Sequence, residues 1–408
     1  MTLDVRIVPA RDHKAWFDAI WTAFGEDLVD DGIERNLRVL EPDRMFGVYD
    51  GANVVGGGGT FSYEMTVPGP GTIRVGGITA VGIMPTHRRQ GGLRKLMLHQ
   101  LADAKARGEA GALLWASEGN IYQRFGYGLA SLASSIDVDR DRAAFRTPAE
   151  WSGTVRLVDQ AEAMAKFPEV HDPIAAVTPG FWKRNEAWWD SQILGDPPRW
   201  REGSSHKFML LNERAGRPVG YATYRIKSDW GDVGSKSVLR VVEWLAADAD
   251  AARDVWQYLF GVDLIAKIHH GPGPVDHPLL LMLAEPRRLS LRVGDGLWLR
   301  ILDVPAALSA RGYSADGDLV IEVVDEVLPE VAGRWRVSAR GGRGEVTATD
   351  QPADLQLDIT DLGAVYLGGF TFRALADAGR GAECTPGAIQ RADLLFATDR
   401  KPWSPHVF

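Results

Sequence analysis

The sequence predicts a mixed α/β (α+β) protein in which two similar units in tandem precede a separate α+β domain. Its 408 residues are more than one hydrophobic core usually organises. The order strand, strand, strand, helix, strand occurs twice, at a spacing of roughly one domain. From about Leu291 the pattern changes to strands grouped first and helices after them. We therefore place three domains at residues 1–150, 151–290 and 291–408.

The first unit opens with an amphipathic helix and continues mainly as strands. Apolar residues of the helix recur at steps of three and four: Trp16 or Phe17, Ile20, Trp21, Phe24 and Leu28. The predicted strands are Met45 to Tyr49, Asn53 to Val55, Thr60 to Thr66, Gly77 to Ile83, Ala112 to Ala116 and Ser131 to Val138. A second helix is predicted from about Gly92 to Arg107, and Gly108 suits its C-terminal cap.

The second unit repeats this order after a helical segment rich in tryptophan (Trp182, Trp188 and Trp189). Its predicted strands are His206 to Leu211, Val219 to Ile226, Val238 to Leu245 and Leu264 to His269. Helix Ala251 to Phe260 precedes the last of them. The repeat is one of pattern rather than of sequence identity, and it predicts a duplicated α/β unit.

The third domain has strands that alternate apolar and polar residues, followed by helices. The strands are Leu319 to Val324, Arg334 to Ala339, Glu345 to Ala348 and Leu355 to Ile359. The helices are Leu362 to Tyr366, Arg373 to Ala378 and Ala388 to Ala397. Residues Lys401 to Phe408 contain two prolines and are predicted to form an extended tail.

Composition indicates a soluble, globular protein of the cytoplasm. Charged residues make up 25% and hydrophobic residues 45% of the chain. Cys384 is the single cysteine, so no internal disulfide can form, which suits a reducing compartment. Met1 to Arg11 lacks an apolar stretch of signal-peptide length, and the longest apolar run, Leu279 to Ala284, is too short for a bilayer. We predict no membrane partner.

The formal net charge of -8 does not favour nucleic acid as a partner. It is compatible with a cationic substrate, because an acidic surface raises the local concentration of amines. The simpler interpretation of the charge as a whole is solubility. The nine histidines show no metal-ligand spacing, so we predict no metal.

The most informative segment is Val81-Gly-Ile-Met-Pro-Thr-His-Arg-Arg-Gln-Gly-Gly-Leu-Arg94. A buried strand ends near Pro85, and Arg88 and Arg89 precede glycines that open an amphipathic helix. The start of a helix presents unpaired N–H groups and the positive end of its dipole, which suit a pyrophosphate. On charge alone a solvated basic turn would explain the arginines, but the order strand, arginine pair, glycine, helix favours an anion site. The other glycine run, Gly56 to Gly59, precedes no helix and predicts a bulged or flexible strand without a ligand role.

This segment resembles the acetyl-CoA-binding motif of the GNAT acetyltransferases, although Leu93 replaces the usual third small residue. Two further segments, Ala116 to Gly128 and Asp295 to Leu308, extend the resemblance to the Eis (enhanced intracellular survival) family of GNAT N-acetyltransferases. The resemblance covers essentially the whole chain. It implies tandem GNAT-like domains followed by a sterol-carrier-protein-like domain.

The resemblance also implies roles for residues around this segment. Backbone groups of Val81 and Ile83 would pair with the pantetheine arm of acetyl-CoA, and Ser117 would also contact this cosubstrate. The pyrophosphate would be held by Arg88, Arg89, Gly91 and Gly92. Tyr122 matches the family's general acid, which protonates the departing thiolate. The alternative for Tyr122 is an ordinary half-buried aromatic residue, the role we assign to Phe125 and Tyr127.

The family's base is the α-carboxylate of the last residue, here Phe408. Its ordinary pKa of about 3.5 is far from the ideal for a base at neutral pH, unless burial raises that pKa or water relays the proton. The chain end must fold back by about a whole domain to reach Tyr122. Without the resemblance, the last residues would be predicted to fray.

A cation-binding wall is predicted from Glu26 and Asp27, with Asp30 and Asp31 close behind. Several carboxylates at a helix exit could hold an ammonium-rich substrate, although a solvated helix end also explains Asp30 and Asp31. Phe24 is of a type that more often belongs to the core, but it could also line the substrate pocket. Asp295, which matches the family motif, is expected to face the same cavity.

The second unit is predicted to be degenerate. Where the first unit has two arginines and glycines, the second has Ala246 to Arg253, with Asp248 and Asp250. These carboxylates would repel a pyrophosphate and can instead cap their own helix.

The leading hypothesis is therefore an acetyl-CoA-dependent N-acetyltransferase. The resemblance implies aminoglycoside-like polyamines as acceptors, and a homohexamer. The alternatives are lysine side chains of proteins or peptides as acceptors, and a binding module for lipid or another hydrophobic ligand.

Overall fold

The computed structural model describes residues 3–27, 30–148 and 150–408. The side chains of Asp30 and Asp31 lie outside the described part, as does Leu28. The strands up to residue 131 are β1 (Asp4–Ile7), β2 (Met45–Asp50), β3 (Asn53–Thr66), β4 (Thr72–Ile83), β5 (Gly111–Trp115) and β6 (Gly128–Leu129). The helices there are α1 (His13–Phe24), α2 (Asp30–Leu37), α3 (Gly92–Ala106) and α4 (Gly119–Tyr122).

The middle of the chain contains nine strands and four α-helices among the described residues. The strands are β7 (Leu132–Asp139), β8 (Thr154–Val158), β9 (Phe208–Arg214), β10 (Arg217–Lys227), β11 (Trp230–Gly231), β12 (Gly234–Ser235), β13 (Val238–Ala246), β14 (Lys267–Gly273) and β15 (Arg292–Asp295). The helices are α5 (Gln160–Ala175), α6 (Glu186–Trp188), α7 (Ala249–Gly261) and α8 (Leu279–Met282).

The C-terminal part follows the predicted order of strands and then helices. Its strands are β16 (Leu297–Ile301), β17 (Gly317–Val324), β18 (Gly333–Arg340), β19 (Arg343–Ala348), β20 (Leu355–Asp358) and β21 (Ala382–Glu383). Its helices are α9 (Val304–Ala310), α10 (Ile359–Tyr366), α11 (Phe372–Asp377) and α12 (Ala388–Phe396). No helix in the described ranges combines the length and the hydropathy that a membrane crossing needs.

The described chain forms two compact units. Two strands, β7 and β16, lie in sheets other than those that the sequence predicted. The first unit contains the described residues up to Ser131, Gly296–Pro402 and Val407–Phe408, and the second contains Leu132–Asp295 and Trp403–His406. Strand β7, predicted to end the first unit, pairs with β14 and β15 in the second sheet. Strand β16 lies between β5 and β6 in the first sheet. Apolar alternation identifies a strand but not its partner, and β16 is buried along its whole length.

The first sheet has the order β1-β2-β3-β4-β5-β16-β6. Helix α1 packs closely on this sheet, where the Nε1 of Trp16 donates to the carbonyl of Phe46 at 2.9 Å. A Cβ on Gly57 would lie 2.2 Å from that Nε1. The glycine run in β3 is therefore part of a strand and serves packing, as its lack of a following helix indicated.

The C-terminal domain has its own five-stranded sheet, with the order β19-β18-β17-β20-β21. Within the first unit, Arg300 of β16 forms a fully buried ion pair with Asp325, which follows β17. Leu328 packs against the apolar cluster that contains Tyr122 and Trp298. The C-terminal domain therefore supports the core beneath Tyr122.

The second sheet has the order β15-β7-β14-β13-β10-β9-β8. Its parallel pair, β13 and β14, is joined over Val238–Val241. Beyond that point Trp244 packs against Trp256 and His277, with ring centroids 5.4 and 5.5 Å away. Asp248 caps α7 by accepting a hydrogen bond from the N–H of Ala251 at 2.8 Å, as predicted. Aromatic side chains therefore fill the second unit just beyond the residues at which β13 and β14 stop pairing.

Candidate active site

The site begins where β4 and β5 separate. Only Val75–Gly77 of β4 pairs with β5, at Gly111–Leu113, although β4 continues to Ile83. A β-bulge accompanies the separation, because the register with β3 shifts between Gly57 and Gly59 and Ala80 has a φ of 53°. Beyond Gly77, the edge of β4 that faces β5 is therefore not paired with it.

Val81 and Ile83 present backbone groups toward this gap. The N–H of Met84 donates to the carbonyl of Val55 in β3, at 2.9 Å. Because successive residues of a strand point their N–H groups to opposite edges, the N–H groups of Val81 and Ile83 point away from β3. An extended ligand with amide groups could therefore add to this edge as a strand would.

The start of α3 supplies an anion site next to the gap. Gly91 precedes the helix with a φ of 83°, a left-handed conformation that favours glycine. Gly92 packs closely, since a Cβ there would lie 3.0 Å from Leu3. In the first turn, the N–H groups of Gly92, Leu93 and Arg94 have no acceptors within the helix. They provide donors and the positive end of the helix dipole for a phosphate.

The two adjacent arginines differ in their contacts. The Arg88 guanidinium donates to the carbonyls of Ile83 at 3.2 Å and Ala23 at 2.9 Å, so it fastens the loop to β4 and α1. Arg89 has a left-handed backbone with a φ of 63° and an exposed side chain. That side chain makes no hydrogen bond or ion pair to another described residue, which leaves its five donors available to a ligand.

Tyr122, on the short helix α4 after β5, is 5% exposed. Burial raises the pKa of its phenol above the ordinary value, a hydrogen bond with the Ser117 side chain lowers it, and the nearby Glu118 carboxylate raises it further. The net pKa is raised, so the phenol keeps its proton at neutral pH. This is the state that a general acid requires.

One cavity of about 690 Å³ joins these features. The predicted site residues along its wall are Phe24, Val81, Ile83, Arg88, Arg89, Gly91, Gly92, Ser117 and Tyr122. Arg94, Glu118 and Arg124 also line the cavity and were not predicted from the sequence. Their signal was position alone: Arg94 lies in the first turn of α3, and the other two flank Tyr122 in sequence. Four arginines against one carboxylate make the cavity suited to an anionic ligand.

Sequence profiles of known families match all three parts of the chain. A profile of acetyltransferase (GNAT) domains matches residues 4–130, and a second GNAT domain profile matches residues 180–301. A sterol carrier protein domain profile matches residues 304–405.

Full-length relatives agree with these domains. The chain is 37% identical over 411 residues to an uncharacterized N-acetyltransferase of Streptomyces avermitilis, covering 100% of both chains. It is 36% identical over 365 residues to N-acetyltransferase Eis of Mycobacterium tuberculosis, covering 86% of this chain and 85% of that one. The crystal structure of Eis1 from Mycobacterium abscessus matches with a TM-score of 0.85 at 32% identity, over 100% of both chains.

The chain belongs to the Eis family of N-acetyltransferases. The predicted fold class is confirmed, with GNAT domains and a C-terminal sterol-carrier-like domain. The chain is an acetyltransferase, and the GNAT fold implies acetyl-CoA as its cosubstrate.

The cavity of this Eis-family chain fits acetyl-CoA on its own geometry. The open edge of β4 suits the two amides of the pantetheine arm, and the start of α3 suits the pyrophosphate. No atom of the described residues other than the chain neighbours of Gly91 lies within 4 Å of a Cβ built on it, so the start of the helix is open. The bound thioester would supply the acetyl group, and residues of the chain form the walls around it.

Several predicted residues of this Eis-family chain are not among those that line the cavity. Glu26 and Asp27 follow α1 as exposed residues, just beyond Phe24, which is 49% exposed. Asp295 ends β15 in the other compact unit, so its expected role stays a prediction. The ring of Phe408 packs edge-to-face on Tyr63 of β3, at 5.4 Å between centroids.

Phe125 and Tyr127 have the structural role assigned to them. Both are buried in the cluster that contains Met97, Leu114 and Trp298. The Tyr127 ring meets the Tyr122 ring edge-on at 6.1 Å between centroids. This packing fixes the Tyr122 ring, and the Tyr122 side chain shares a hydrogen bond with Ser117, which also lines the cavity.

Proposed function

We propose that the chain transfers the acetyl group of acetyl-CoA to primary amines of polycationic small molecules such as aminoglycosides, with Tyr122 as general acid and the Phe408 carboxylate as base. One observation supports this most: the anion site at α3 and the buried phenol of Tyr122 line the same cavity. A cosubstrate that extends from the helix start along β4 brings its thioester toward Tyr122.

In the proposed reaction a neutral amine attacks the thioester carbonyl carbon directly. A C–N bond forms, the C–S bond breaks, and the sulfur leaves with the electron pair. Tyr122 donates its phenolic proton to that sulfur, because its raised pKa keeps it protonated until negative charge develops there. The new N–H⁺ then loses its extra proton to the base.

The C-terminal carboxylate is the proposed base because the end of the chain is docked rather than frayed. The Phe408 ring packs on Tyr63 and Phe61, and a Cβ on Gly77 would lie 3.2 Å from it. Gly77 is the last residue of β4 that pairs with β5, so the chain end lies at the start of the gap. This docking supports the base assignment, which requires the free carboxylate of the last residue.

The acceptor is proposed to be held by carboxylates rather than by the arginines of the cavity, because cationic side chains repel a polyamine. Glu26 and Asp27 follow Phe24, a residue of the cavity wall, and offer carboxylates to the ammonium groups of an acceptor.

Thiol release from acetyl-CoA, measured with a panel of amines, tests the proposed function. The panel contains aminoglycosides, linear polyamines and a lysine peptide, and mass spectrometry identifies each acetylated product. We expect turnover with the polycationic small molecules. Turnover with the lysine peptide alone would replace the proposed acceptor class, and acetyl-CoA binding without turnover on any amine would support a binding module.

A C-terminal extension tests the base assignment. Adding a short Gly-Ser segment after Phe408 moves the carboxylate while it keeps the aromatic ring. We expect the extended chain to bind acetyl-CoA normally and to lose most turnover, whereas the same segment at the N-terminus has no effect. Full activity of the extended chain would refute the base assignment.

A further inference from the structure

The β-bulge beside the gap consists of one extra residue in β4. The register between β3 and β4 shifts between Gly57 and Gly59, so Ala80 and Val81 of β4 together face the single residue Gly58. The left-handed backbone of Ala80, with a φ of 53°, lies at this point. The extra residue changes the register of the part of β4 that follows it.

The bulge decides which backbone N–H groups of β4 face the open edge. Successive residues of a strand point their N–H groups to opposite edges, so one extra residue exchanges the two sets. Beyond the bulge the N–H of Met84 donates to β3, and those of Val81 and Ile83 face the gap. A strand without the bulge would turn the N–H of Val81 toward β3 and present that of Gly82, about 3.3 Å farther along. The bulge therefore selects the donors that an extended ligand meets.

A buried glutamine of α3 holds the β3 side of the bulge. Gln100 is 0% exposed, and its Nε2 donates to the carbonyl of Gly59 at 2.9 Å and to Oγ1 of Thr60 at 3.2 Å. Its Oε1 has no hydrogen-bond partner among the described residues, so the side-chain hydrogen bonds of Gln100 go to β3. A bulge disrupts the ladder of backbone hydrogen bonds, and buried carbonyls beside it need other donors. Gln100 supplies such a donor.

The glycine at the centre of the bulge leaves room for this side chain. A Cβ built on Gly58 would lie 3.1 Å from Nε2 of Gln100 and 3.3 Å from Cγ2 of Val81. Contacts this short would oblige one of the neighbours to move. Gly58 therefore allows α3, β3 and β4 to meet at the bulge.

We infer that Gln100 is a positioning residue for the pantetheine arm of acetyl-CoA, because it holds the bulge that turns the N–H groups of Val81 and Ile83 to the open edge. Gln100 itself touches no ligand, since it is fully buried and is not among the residues that line the cavity. All of these residues lie in the first compact unit. Cosubstrate binding is the step affected, so this role does not depend on the proposed acceptor, acid or base.

Two substitutions disturb the contact from opposite sides, and a third serves as the control. Gln100→Met keeps the length of the side chain and removes the donor. Gly58→Ala places a methyl group against Nε2 of Gln100. The control is Ala104→Gly, because Ala104 lies one turn farther along the buried face of α3, and glycine there weakens the helix without removing a hydrogen-bonding group.

Two ligands separate positioning from a general loss of structure. Acetyl-CoA contains the pantetheine arm and the phosphates, whereas adenosine 3′-phosphate 5′-diphosphate keeps the pyrophosphate and lacks the arm. Calorimetric titration measures the Kd of each ligand, and thermal unfolding measures stability.

For Gln100→Met and Gly58→Ala we expect the Kd for acetyl-CoA to rise about tenfold or more, because only the molecules that keep the bulge bind the arm. The Kd for the nucleotide fragment should stay within about twofold of the wild-type value, since the start of α3 is unchanged. Ala104→Gly should keep the wild-type Kd for both ligands at a lower unfolding temperature.

An equal rise of both Kd values in Gln100→Met would show a general disturbance of the site and would overturn the inference. Unchanged Kd values would overturn it as well, because the bulge would then persist without the amide. If Gln100→Met does not fold, Gly58→Ala decides between the same outcomes. A loss of acetyl-CoA affinity in Ala104→Gly as large as in the other two variants would also contradict the inference. No turnover is measured, so a failure of the proposed function leaves these outcomes distinct.

Discussion

Arg88 and Arg89 are adjacent in sequence and have different contacts. Arg88 is bound to two backbone carbonyls at the ends of β4 and α1, while Arg89 makes no hydrogen bond or ion pair to another described residue. The motif predicted that both hold the pyrophosphate. The structure assigns a loop-fastening contact to Arg88 that charge and spacing could not reveal.

Alanine substitutions should separate these two arginines. Charge-assisted hydrogen bonds contribute about 1.5–3 kcal/mol, so we expect Arg89→Ala to weaken acetyl-CoA binding roughly tenfold to a hundredfold and to leave the unfolding temperature unchanged. Arg88→Ala should weaken binding and also lower the unfolding temperature. Calorimetric titration and thermal unfolding measure the two effects. Equal changes in both variants would contradict the division of roles.

The raised pKa of Tyr122 predicts the pH dependence of turnover. Because that pKa lies above the ordinary value near 10, the phenol remains a proton donor throughout the neutral and mildly alkaline range. The acceptor must lose its proton before it attacks, so kcat/KM should rise with pH through the pKa of the amine and then reach a plateau. A descending limb below about pH 9 that Tyr122→Phe abolishes would contradict the assignment.

At the scale of elements, two glycines flank helix α3 and form a matched pair. Gly91 and Gly108 have φ values of 83° and 72°, and apart from their chain neighbours no residue that the structure describes lies within 4 Å of a Cβ built on either. Gly91 precedes the helix beside the cavity, and Gly108 follows its opposite end. Backbone strain is thus common to both positions, and only one of them adjoins the anion site.

Alanine at either glycine should cost about 1–2 kcal/mol of stability, because an L-residue is strained in the left-handed region. Only Gly91→Ala should also weaken acetyl-CoA binding, since its methyl group enters the space that the pyrophosphate would approach. Chemical denaturation and calorimetric titration measure the two quantities. If Gly108→Ala weakened binding as much as Gly91→Ala, the effect would come from the helix rather than from the anion site.

Local pattern predicted most helices and strands of the chain, including α3 and its buried face. It predicted a bulged or flexible strand at Gly56 to Gly59, where the register shift lies, but it did not predict the positive φ of Ala80 on the neighbouring strand. It also could not predict that β7 and β16 enter sheets with partners far along the chain. Pairing of strands depends on tertiary packing, which apolar alternation does not encode.

For the whole molecule, buried neutral histidines predict sensitivity to acid. Burial lowers the pKa of His277 to about 3 and that of His270 well below its usual value. Below about pH 6.5 the unfolded chain takes up protons that the folded chain does not, so stability is present above that pH and is lost as pH falls toward the folded pKa. The loss is about 1.4 kcal/mol per pH unit for each such histidine.

Denaturant unfolding at pH 7.5, 6.0 and 5.0 measures this loss. We expect the free energy of unfolding to decrease between pH 6.0 and 5.0, and His277→Asn to lose about 1.4 kcal/mol less over that unit. The asparagine keeps an acceptor for the N–H of Leu279, which donates to Nδ1 of His277. Identical pH slopes for the variant and the wild type would show that His277 does not stay neutral in the folded chain.

The sequence alone identified the family. It also predicted a set of residues that line the cavity, because a strand, two arginines and glycines before a helix are contiguous in the chain. The hydrogen bonds of Arg184 with Glu243 and His406 were missed, since they join residues that are up to 222 positions apart. The homohexamer and the cytoplasmic location stay predictions.

Replacement of Tyr122 by Phe, with Tyr127→Phe as its control, tests whether Tyr122 is the general acid. Both remove one hydroxyl from neighbouring buried rings, but only Tyr122 lines the cavity. We predict that Tyr122→Phe lowers kcat by about a hundredfold or more, the usual contribution of a general acid, and leaves the Kd for acetyl-CoA within about twofold. Tyr127→Phe should keep the wild-type kcat. An unchanged kcat in Tyr122→Phe would contradict the account.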